Sequence, residues 1–506
     1  MQSRITRAAM SKLLTHPGPA IAPREETLSS QILTAKIAQR KWADVPVYLR
    51  LYALRQLRHC LAEKSSQLAA SIHRTGRSHA DTIAAEVLPL LDACKYLESE
   101  ADEILRPRRE PGDQRPLWMQ RVSVETRREP FGVVLLIAPS NYPLLLPGVQ
   151  CLQALAAGNA VVWKPGLGGS ACAAIFAEAF AESGADPSLL VVTEETAEAA
   201  REAISTGVDK VVLTGSAITG AKVLAQLAPS LTPSAMELSG CDAMFVLMDA
   251  NLDCVVEALA FSCRLNASAT CMATRRVLVP LQLTAELEKK LAANFVSEPQ
   301  VQLPIATRAL VDDLVHEALL LGARLVFDGR DGNRMGPVVL SDVRPDMRLA
   351  DADVFAPILG LMPFRYEQEA VEANRACSYA LSVSIFGSEK AARALASQVR
   401  AGCVTINDVI ASSVDPRVCF GGRGHSGFGV TRGREGLLEM TTPKSVIMRR
   451  GDDRTHLRLQ GEEHAQFFSG YVNAVHGSGM RRRLHGAAEA IKGLPALLRR
   501  KFRANS

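Results

Sequence analysis

Apolar residues recur at intervals of three and four through the first hundred positions: Val47, Leu51, Leu54, Leu57 and Leu61, then Val87, Leu90, Leu91, Cys94 and Leu97. That period covers one face of a helix. Residues 25–105 therefore predict a layer of amphipathic helices laid on another element. Arg106–Pro116 breaks the period with four Arg and three Pro, and Met119–Thr126 alternates as an exposed strand or hairpin arm does.

The character changes at Gly132-Val-Val-Leu-Leu-Ile-Ala138, an apolar run without alternation, which suits a strand buried on both faces of a parallel sheet. A helical pattern to Ala157 leads to a second such run, Ala160–Trp163, then to a helix from Ser170, strands at Leu189–Val192 and Val211–Leu213, and an intervening helix. Repeated βα alternation predicts a doubly wound nucleotide-binding sheet. After Gly240 a second α/β region follows, with strands predicted at Phe245–Leu247, Arg276–Val279, Ala323–Phe327, Leu359–Phe364 and Val383–Phe386. Phe420–Gly429 reads as a glycine-rich loop, and Lys444–Met448 as an edge strand.

Composition adds exclusions. The chain has 506 residues, 47% hydrophobic and 22% charged, with 35 Gly and 26 Pro, so disordered, collagen-like and coiled-coil classes are out. The formal charge is +5, but residues 476–506 hold eight Lys or Arg against Glu489 alone, a net +7 that leaves the body at −2. The body is thus no nucleic-acid binder on charge grounds. Eleven cysteines, an odd number without CxxC pairing or Cys/His clustering, indicate neither a disulfide framework nor a metal site, and fit a reducing compartment. No apolar run reaches about 18 residues, and residues 1–23 lack a signal-peptide core, so the expectation is a cytoplasmic protein with no spanning segment.

Several residues are placed where chemistry is done. Leu213-Thr-Gly215-Ser216, followed by Gly220, joins a strand to a helix whose first N–H groups suit a phosphate, although a glycine turn there is more often structural than functional. Lys164 follows a buried strand at the sheet's carboxyl edge, where open α/β sheets bind ligands. Cys271, on a loop before the strand at Arg276, is one of eleven thiols, any of which serves as a nucleophile only in the right surroundings. Glu237, an acid among apolar residues at a strand end, suits a general base or an ion pair.

Taken together, Ala138-Pro-Ser-Asn-Tyr-Pro143, Trp163-Lys-Pro165, Leu213-Thr-Gly-Ser216, Glu237-Leu-Ser-Gly240, Thr270-Cys-Met-Ala273, Asp353-Val-Phe-Ala-Pro357 and Phe420-Gly-Gly-Arg-Gly-His-Ser-Gly427 resemble, in order and spacing, the motifs of the aldehyde dehydrogenase superfamily. The resemblance runs from about Ala35 to Val446. It implies an α/β subunit with a Rossmann-type nucleotide-binding domain (25–111 and 131–239), a catalytic domain (240–441) and a small oligomerisation flap (112–130 and 442–450), between an N-terminal segment (1–24) and a basic tail (451–506). It further implies Cys271 as nucleophile, Asn141 with the Cys271 N–H as oxyanion donors, and Glu237 as the base that hydrolyses a thioester. Lys164, Gly215, Ser216, Gly220, Asp353 and Phe355 would hold NAD or NADP. The assembly implied is a homodimer or homotetramer, and the substrate an aldehyde.

Departures from the family pattern mark a divergent member. Leu167 stands where an acidic residue commonly binds the ribose hydroxyls, which opens the site to NADP; Ser268-Ala269 replaces Gly-Gln, Asp353 a glutamate, Ser140 a tryptophan, and Ser239 a glycine. Two other readings stay open: a CoA-acylating or semialdehyde-type reductase of the same superfamily, and a non-catalytic, membrane-recruited scaffold.

The tail carries its own pattern. Leu484, Ala487, Ala488, Ile491, Leu494 and Leu498 follow helical spacing between Arg481–Arg483 and Arg499–Arg503, with Gly493 and Pro495 expected to interrupt the helix. Such a segment predicts either peripheral contact with an anionic inner-membrane surface, with the substrate then lipid-derived, or a solvated or subunit-packing tail.

Overall fold

The computed structural model describes residues 27–451 and 460–498, apart from 75, 114, 117, 118, 120 and 333. The expected N-terminal segment and parts of the tail lie outside the described residues. The chain divides into two compact units, Met1–Arg108 with Thr126–Lys444 and Arg109–Glu125 with Ser445–Ser506.

In the larger unit, α1 (Leu28–Ala43), α2 (Val47–Glu63) and α3 (Leu88–Leu105) form the predicted helical layer. Thr27 caps α1 by accepting the Ser30 N–H, and α3 begins with Pro89 at a position whose N–H a helix does not need. Their apolar faces, including Ile32, Leu54, Leu57, Leu61, Leu90 and Leu97, join one core with the strands beside them. A π-helical turn, Ile83–Val87, drops Glu86 into that core. There Glu86 pairs with Arg77 at 2.7 Å and accepts the N–H groups of Leu144 and Leu145 at 3.2 and 2.8 Å. A buried carboxylate stands only with such partners.

The first sheet takes β1 (Val133–Ile137), β2 (Ala160–Lys164), β3 (Leu190–Val192), β4 (Lys210–Gly215) and β5 (Ser234–Leu238) in the order β5-β4-β1-β2-β3, all parallel. The helices α4 (Leu145–Ala157), α5 (Ser170–Glu182), α6 (Ala197–Thr206) and α7 (Ala217–Leu227) alternate with the strands. Gly158 closes α4 in the left-handed region at φ 99°. Ile137 pairs with Lys164 on one side and Leu213 on the other, and Leu213 pairs with Met236. This register brings the carboxyl ends of β1, β2, β4 and β5 to one edge.

The second sheet places β6 (Asp242–Val246), β7 (Thr274–Pro280), β8 (Arg334–Ser341), β9 (Ile358–Phe364), β10 (Ser382–Phe386) and β11 (Cys403–Ile406) in the parallel order β8-β9-β7-β6-β10-β11. Arg324–Asp331 and Val301–Gln302 flank β8 antiparallel. The chain then returns to the first sheet. Gly427–Phe428 pairs antiparallel with β5, Gly427 opposite Glu237, and the helix Gly433–Glu439 is followed by Met440, whose carbonyl accepts from Asn159 at 2.9 Å. Lys210 on β4 pairs with Glu439 at 2.8 Å. About the last twenty residues of the span expected for the catalytic domain therefore pack on the nucleotide-binding layer.

Val122–Pro130 lies between Arg108–Arg109 and Thr441–Arg449 in a three-stranded sheet. In the smaller unit Ser123 donates to the Met448 carbonyl, and the Arg450 N–H to the Arg121 carbonyl. Two helices, α8 (Ala465–His476) and α9 (Met480–Leu498), follow. Neither Gly493 nor Pro495 interrupts α9, contrary to the expectation from sequence. A Cβ at Gly493 would lie 2.4 Å from the Phe467 backbone nitrogen, so the glycine serves a close helix contact.

Candidate active site

Cys271 sits in the turn between the helix Leu252–Arg264 and β7. The turn is unusual: Asn266, Ala267 and Ser268 all adopt left-handed backbone, with φ of 52°, 52° and 62°. Such conformations cost of order 1 kcal/mol or more each without glycine, and persist only when neighbours over-determine them. The neighbours are present. Asn266 Nδ2 donates to the carbonyls of Asn141 and Ala269 at 3.0 and 3.1 Å, and Asn141 Nδ2 donates to Ala269 O at 3.0 Å. The buried Arg275 guanidinium grips Ser268 through both its hydroxyl, at 2.7 Å, and its carbonyl, at 2.6 Å. Tyr142 and Thr270 share a hydroxyl contact of 2.8 Å.

Glu237, at the carboxyl end of β5, is buried. Its Oε2 accepts from Gln150 Nε2 at 3.0 Å, Thr431 Oγ1 at 3.2 Å and Thr214 Oγ1 at 3.3 Å, whereas Oε1 is buried with no hydrogen-bond partner. Burial pushes the carboxyl above its usual range, against the pull of Arg432 and of those three donors. The Cys271 thiol is also pushed up, chiefly by burial and then by the nearby Glu237 and Asp242 carboxylates, while Arg432 acts the other way.

Two cavities meet at Cys271. One, of about 340 Å³, is lined by Asn141, Gly215, Ser216, Glu237, Asp353 and Phe355 among others. It lies between residues at the carboxyl edge of the first sheet and residues that precede the amino ends of β7 and β9. The other, of about 470 Å³, is walled mainly by apolar side chains, including Leu145, Phe261, Leu265, Met272, Ile410 and Phe420. Cys271 and Leu146 line both.

The structure thus brings Cys271, Glu237, Asn141, Gly215, Ser216, Asp353 and Phe355 together. Gly220 and Lys164 do not line this cavity. Gly220 lies a turn into α7, where an added Cβ would stand 2.9 Å from Leu238, so it serves helix–sheet packing. Lys164 is half-buried at the end of β2, its pKa lowered by burial against the pull of Glu195. Ser216 caps α7 by accepting the Thr219 N–H at 3.3 Å. The first cavity fits a nicotinamide dinucleotide. The positive end of α7 at Gly215–Ser216 suits a pyrophosphate, and Asp353, Phe355 and Glu237, whose Oε1 has no partner, furnish two carboxyl groups and a ring on the same cavity.

Four residues of the site gave no signal in the sequence: Gln150, Arg275, Thr431 and Arg432. Arg432 is buried at φ 62°, lies 5.2 Å over the Phe420 ring, donates to the Ser413 carbonyl, and makes no ion pair among the described residues. Gln150 and Thr431 find their partner Glu237 87 and 194 positions away, whereas Arg275 grips Ser268 seven positions before it.

Comparison with known proteins agrees with this geometry. The profile of the aldehyde dehydrogenase family matches residues 21–446. The chain is 32% identical over 459 residues to a 4,4'-diapolycopene aldehyde oxidase of Methylomonas sp, covering 88% of this chain and 85% of that one. It is 29% identical over 445 residues to an NADP-dependent glyceraldehyde-3-phosphate dehydrogenase of Streptococcus equinus, covering 85% and 92%. Among solved structures, that of an NADP-dependent glyceraldehyde-3-phosphate dehydrogenase from Bacillus halodurans, complexed with NADP, superposes with a TM-score of 0.77 at 26% identity, over 84% of this chain and 91% of that one. With a fold, a paired set of cavities and a family profile over most of its length in agreement, this chain belongs to the aldehyde dehydrogenase family, as an NAD(P)-dependent oxidoreductase of aldehydes.

Proposed function

We propose that the protein oxidises a long apolar aldehyde to its carboxylic acid at Cys271, by way of a thiohemiacetal and a thioester. One observation carries this reading: Cys271 lines both cavities, so a carbonyl arriving through the apolar one and a nicotinamide in the other meet at a single sulfur.

The Cys271 thiol gives up its proton to water, and the thiolate adds to the carbonyl carbon as the C=O π pair moves onto oxygen. Asn141 keeps one amide hydrogen on Ala269 O, which fixes its orientation, and has the second for the oxyanion that develops, beside the Cys271 backbone N–H. When bound, NAD or NADP supplies the hydride acceptor. Hydrolysis of the thioester falls to Glu237: its Oε2 is saturated by three donors, so Oε1 is the atom that takes a proton from water. This ready base favours hydrolysis over transfer to a thiol such as CoA.

The apolar walls support an apolar substrate, and so does the relative named for oxidising 4,4'-diapolycopene aldehyde. All eleven cysteines are free, which accords with a reducing, cytoplasmic setting. The strand Thr441–Arg449, exposed over most of its length, supports a flap through which copies form a dimer or tetramer.

A Cys271→Ala protein assayed with long-chain aldehydes and either dinucleotide tests the reading. Turnover should fall by about a thousandfold or more while dinucleotide still binds; residual activity above roughly a few per cent would defeat it.

A further inference from the structure

The helices α8 and α9 form an antiparallel hairpin whose inside and outside are reversed relative to a soluble helix pair. Small residues fill the seam. A Cβ on Gly470 would lie 2.2 Å from the Ala490 nitrogen, one on Gly486 would lie 2.5 Å from the Ala474 nitrogen, and Gly493 faces Phe467 as described above. Backbone thus packs on backbone, and among the described residues of the two helices only Gly470, Gly486 and Gly493 are buried.

Several large apolar side chains lie outside. On α9, Met480, Leu484 and Ile491 are 74%, 63% and 69% exposed, and with Leu494 they recur at intervals of four, seven and three, a single helical stripe. On α8, Phe468, Val472 and Val475 repeat the arrangement and are exposed too. Water gives a helix pair every reason to bury such residues. Close packing through glycine and alanine, with apolar side chains turned outward, is the solution suited to a lipid environment, where dispersion rather than the hydrophobic effect joins helices.

Charge selects which surface. Arg481, Arg482 and Arg483 open α9, Lys492 lies further along it, and residues 476–506 carry a net +7. A second copy of the hairpin would set one positive cluster against another, and a nucleic acid would leave the apolar stripes in water. An anionic bilayer satisfies both features. No helix among the described residues is long and apolar enough to cross a membrane, so the fit is to the interface plane. We propose that the α8–α9 hairpin is a peripheral membrane anchor that inserts its apolar stripes among the headgroups of anionic lipids, held there by its arginines.

Co-sedimentation of the full-length protein with vesicles tests this, using phosphatidylcholine alone and phosphatidylcholine mixed with phosphatidylglycerol. The anionic vesicles should retain about tenfold more protein, and the difference should shrink as salt rises from about 0.05 to about 0.5 M. The double variant Leu484→Asp/Ile491→Asp should lose that binding while keeping its aldehyde turnover, which shows the catalytic unit intact. Three results would overturn the proposal: wild type in the supernatant with both vesicle types; equal binding by wild type and double variant, which would mean charge attraction alone; or a wild-type assembly that the double variant dissolves, without any difference in lipid binding, which would assign the stripes to a second copy.

Discussion

Gln150 on α4 donates its side-chain amide to Glu237 Oε2 at 3.0 Å, and this contact helps to occupy one oxygen of the carboxylate. With Thr214 and Thr431 on the same oxygen, Oε1 alone has lone pairs to spare. The bonds also oppose the burial that raises the Glu237 pKa. A base works only when ionised, so steady-state turnover should be lost as pH falls through this raised value. Replacing Gln150 by Leu removes one donor, raises the pKa further and should move the acid limb of the kcat profile up by about half a unit to one unit. A pH–rate profile of the Gln150→Leu protein measures it. For stability the sign is opposite. A carboxyl raised in the folded state contributes most below the ordinary carboxylate range, and its contribution is lost as pH rises through the raised value. Glu237→Gln should therefore melt no lower than wild type at pH 8, to be checked by thermal denaturation.

The left-handed run Asn266–Ser268 ahead of Cys271 makes Arg275 a positioning residue. Arg275→Met leaves the Ser268 hydroxyl and carbonyl without their donor, and kcat should fall by about tenfold to a hundredfold. KM should change much less, since Arg275 does not line the apolar cavity. Ser268→Gly, by contrast, relieves backbone strain at φ 62° while losing one hydrogen bond, so its melting temperature should stay within about 4 °C of wild type. A large loss of stability in Ser268→Gly would mean that the hydroxyl, not the backbone, fixes this turn.

Cofactor choice should depend on Glu195. Leu167, where the family commonly has a ribose-binding acid, is 75% exposed. A carboxylate nevertheless reaches the neighbourhood from the connection after β3. Glu195 accepts the Gly168 N–H at 2.8 Å and the Ser170 hydroxyl at 3.1 Å, and its charge acts on Lys164. A negative charge there repels a 2′-phosphate. Glu195→Gln should raise NADP affinity relative to NAD by about tenfold, read by equilibrium binding of each dinucleotide without substrate.

Arg432 bears on Cys271. It lowers the Cys271 pKa against burial and the carboxylates of Glu237, Asp242 and Asp353. In Arg432→Met that pull is gone, the thiolate fraction at pH 8 drops, and alkylation of Cys271 by iodoacetamide should slow by about threefold to tenfold. The alkylation rate followed against pH should shift to higher pH by the corresponding amount; an unchanged profile would remove Arg432 from this role.

Much of this architecture was legible in the sequence because parallel strands buried on both faces leave uninterrupted Val, Ile and Leu runs. The run at Val133–Ile137 appeared in the sequence within a residue of its ends. The motifs around Asn141, Glu237 and Cys271 were legible only together, through their resemblance in order and spacing to the aldehyde dehydrogenase family, because taken singly an amide, an acid or one thiol of eleven carries no such sign. Arg275 and Arg432 were not, because an isolated arginine carries no local sign of being buried, and their partners come from the turn and the pocket that only tertiary packing assembles. Gly493 and Pro495 misled for a related reason. Both read as helix breakers, but close packing against Phe467 calls for the first, and the last turn of α9 accommodates the second.

In the proposed reaction Cys271 forms a thioester which Glu237 then helps to hydrolyse. This sequence is tested most directly by stopped-flow absorbance of reduced dinucleotide in Glu237→Gln mixed with a long-chain aldehyde. A burst of about one equivalent per active site at close to the wild-type rate is expected, followed by a steady state slowed by about a hundredfold or more. A burst that slows together with the steady state would place Glu237 before hydride transfer and rule out this order of steps.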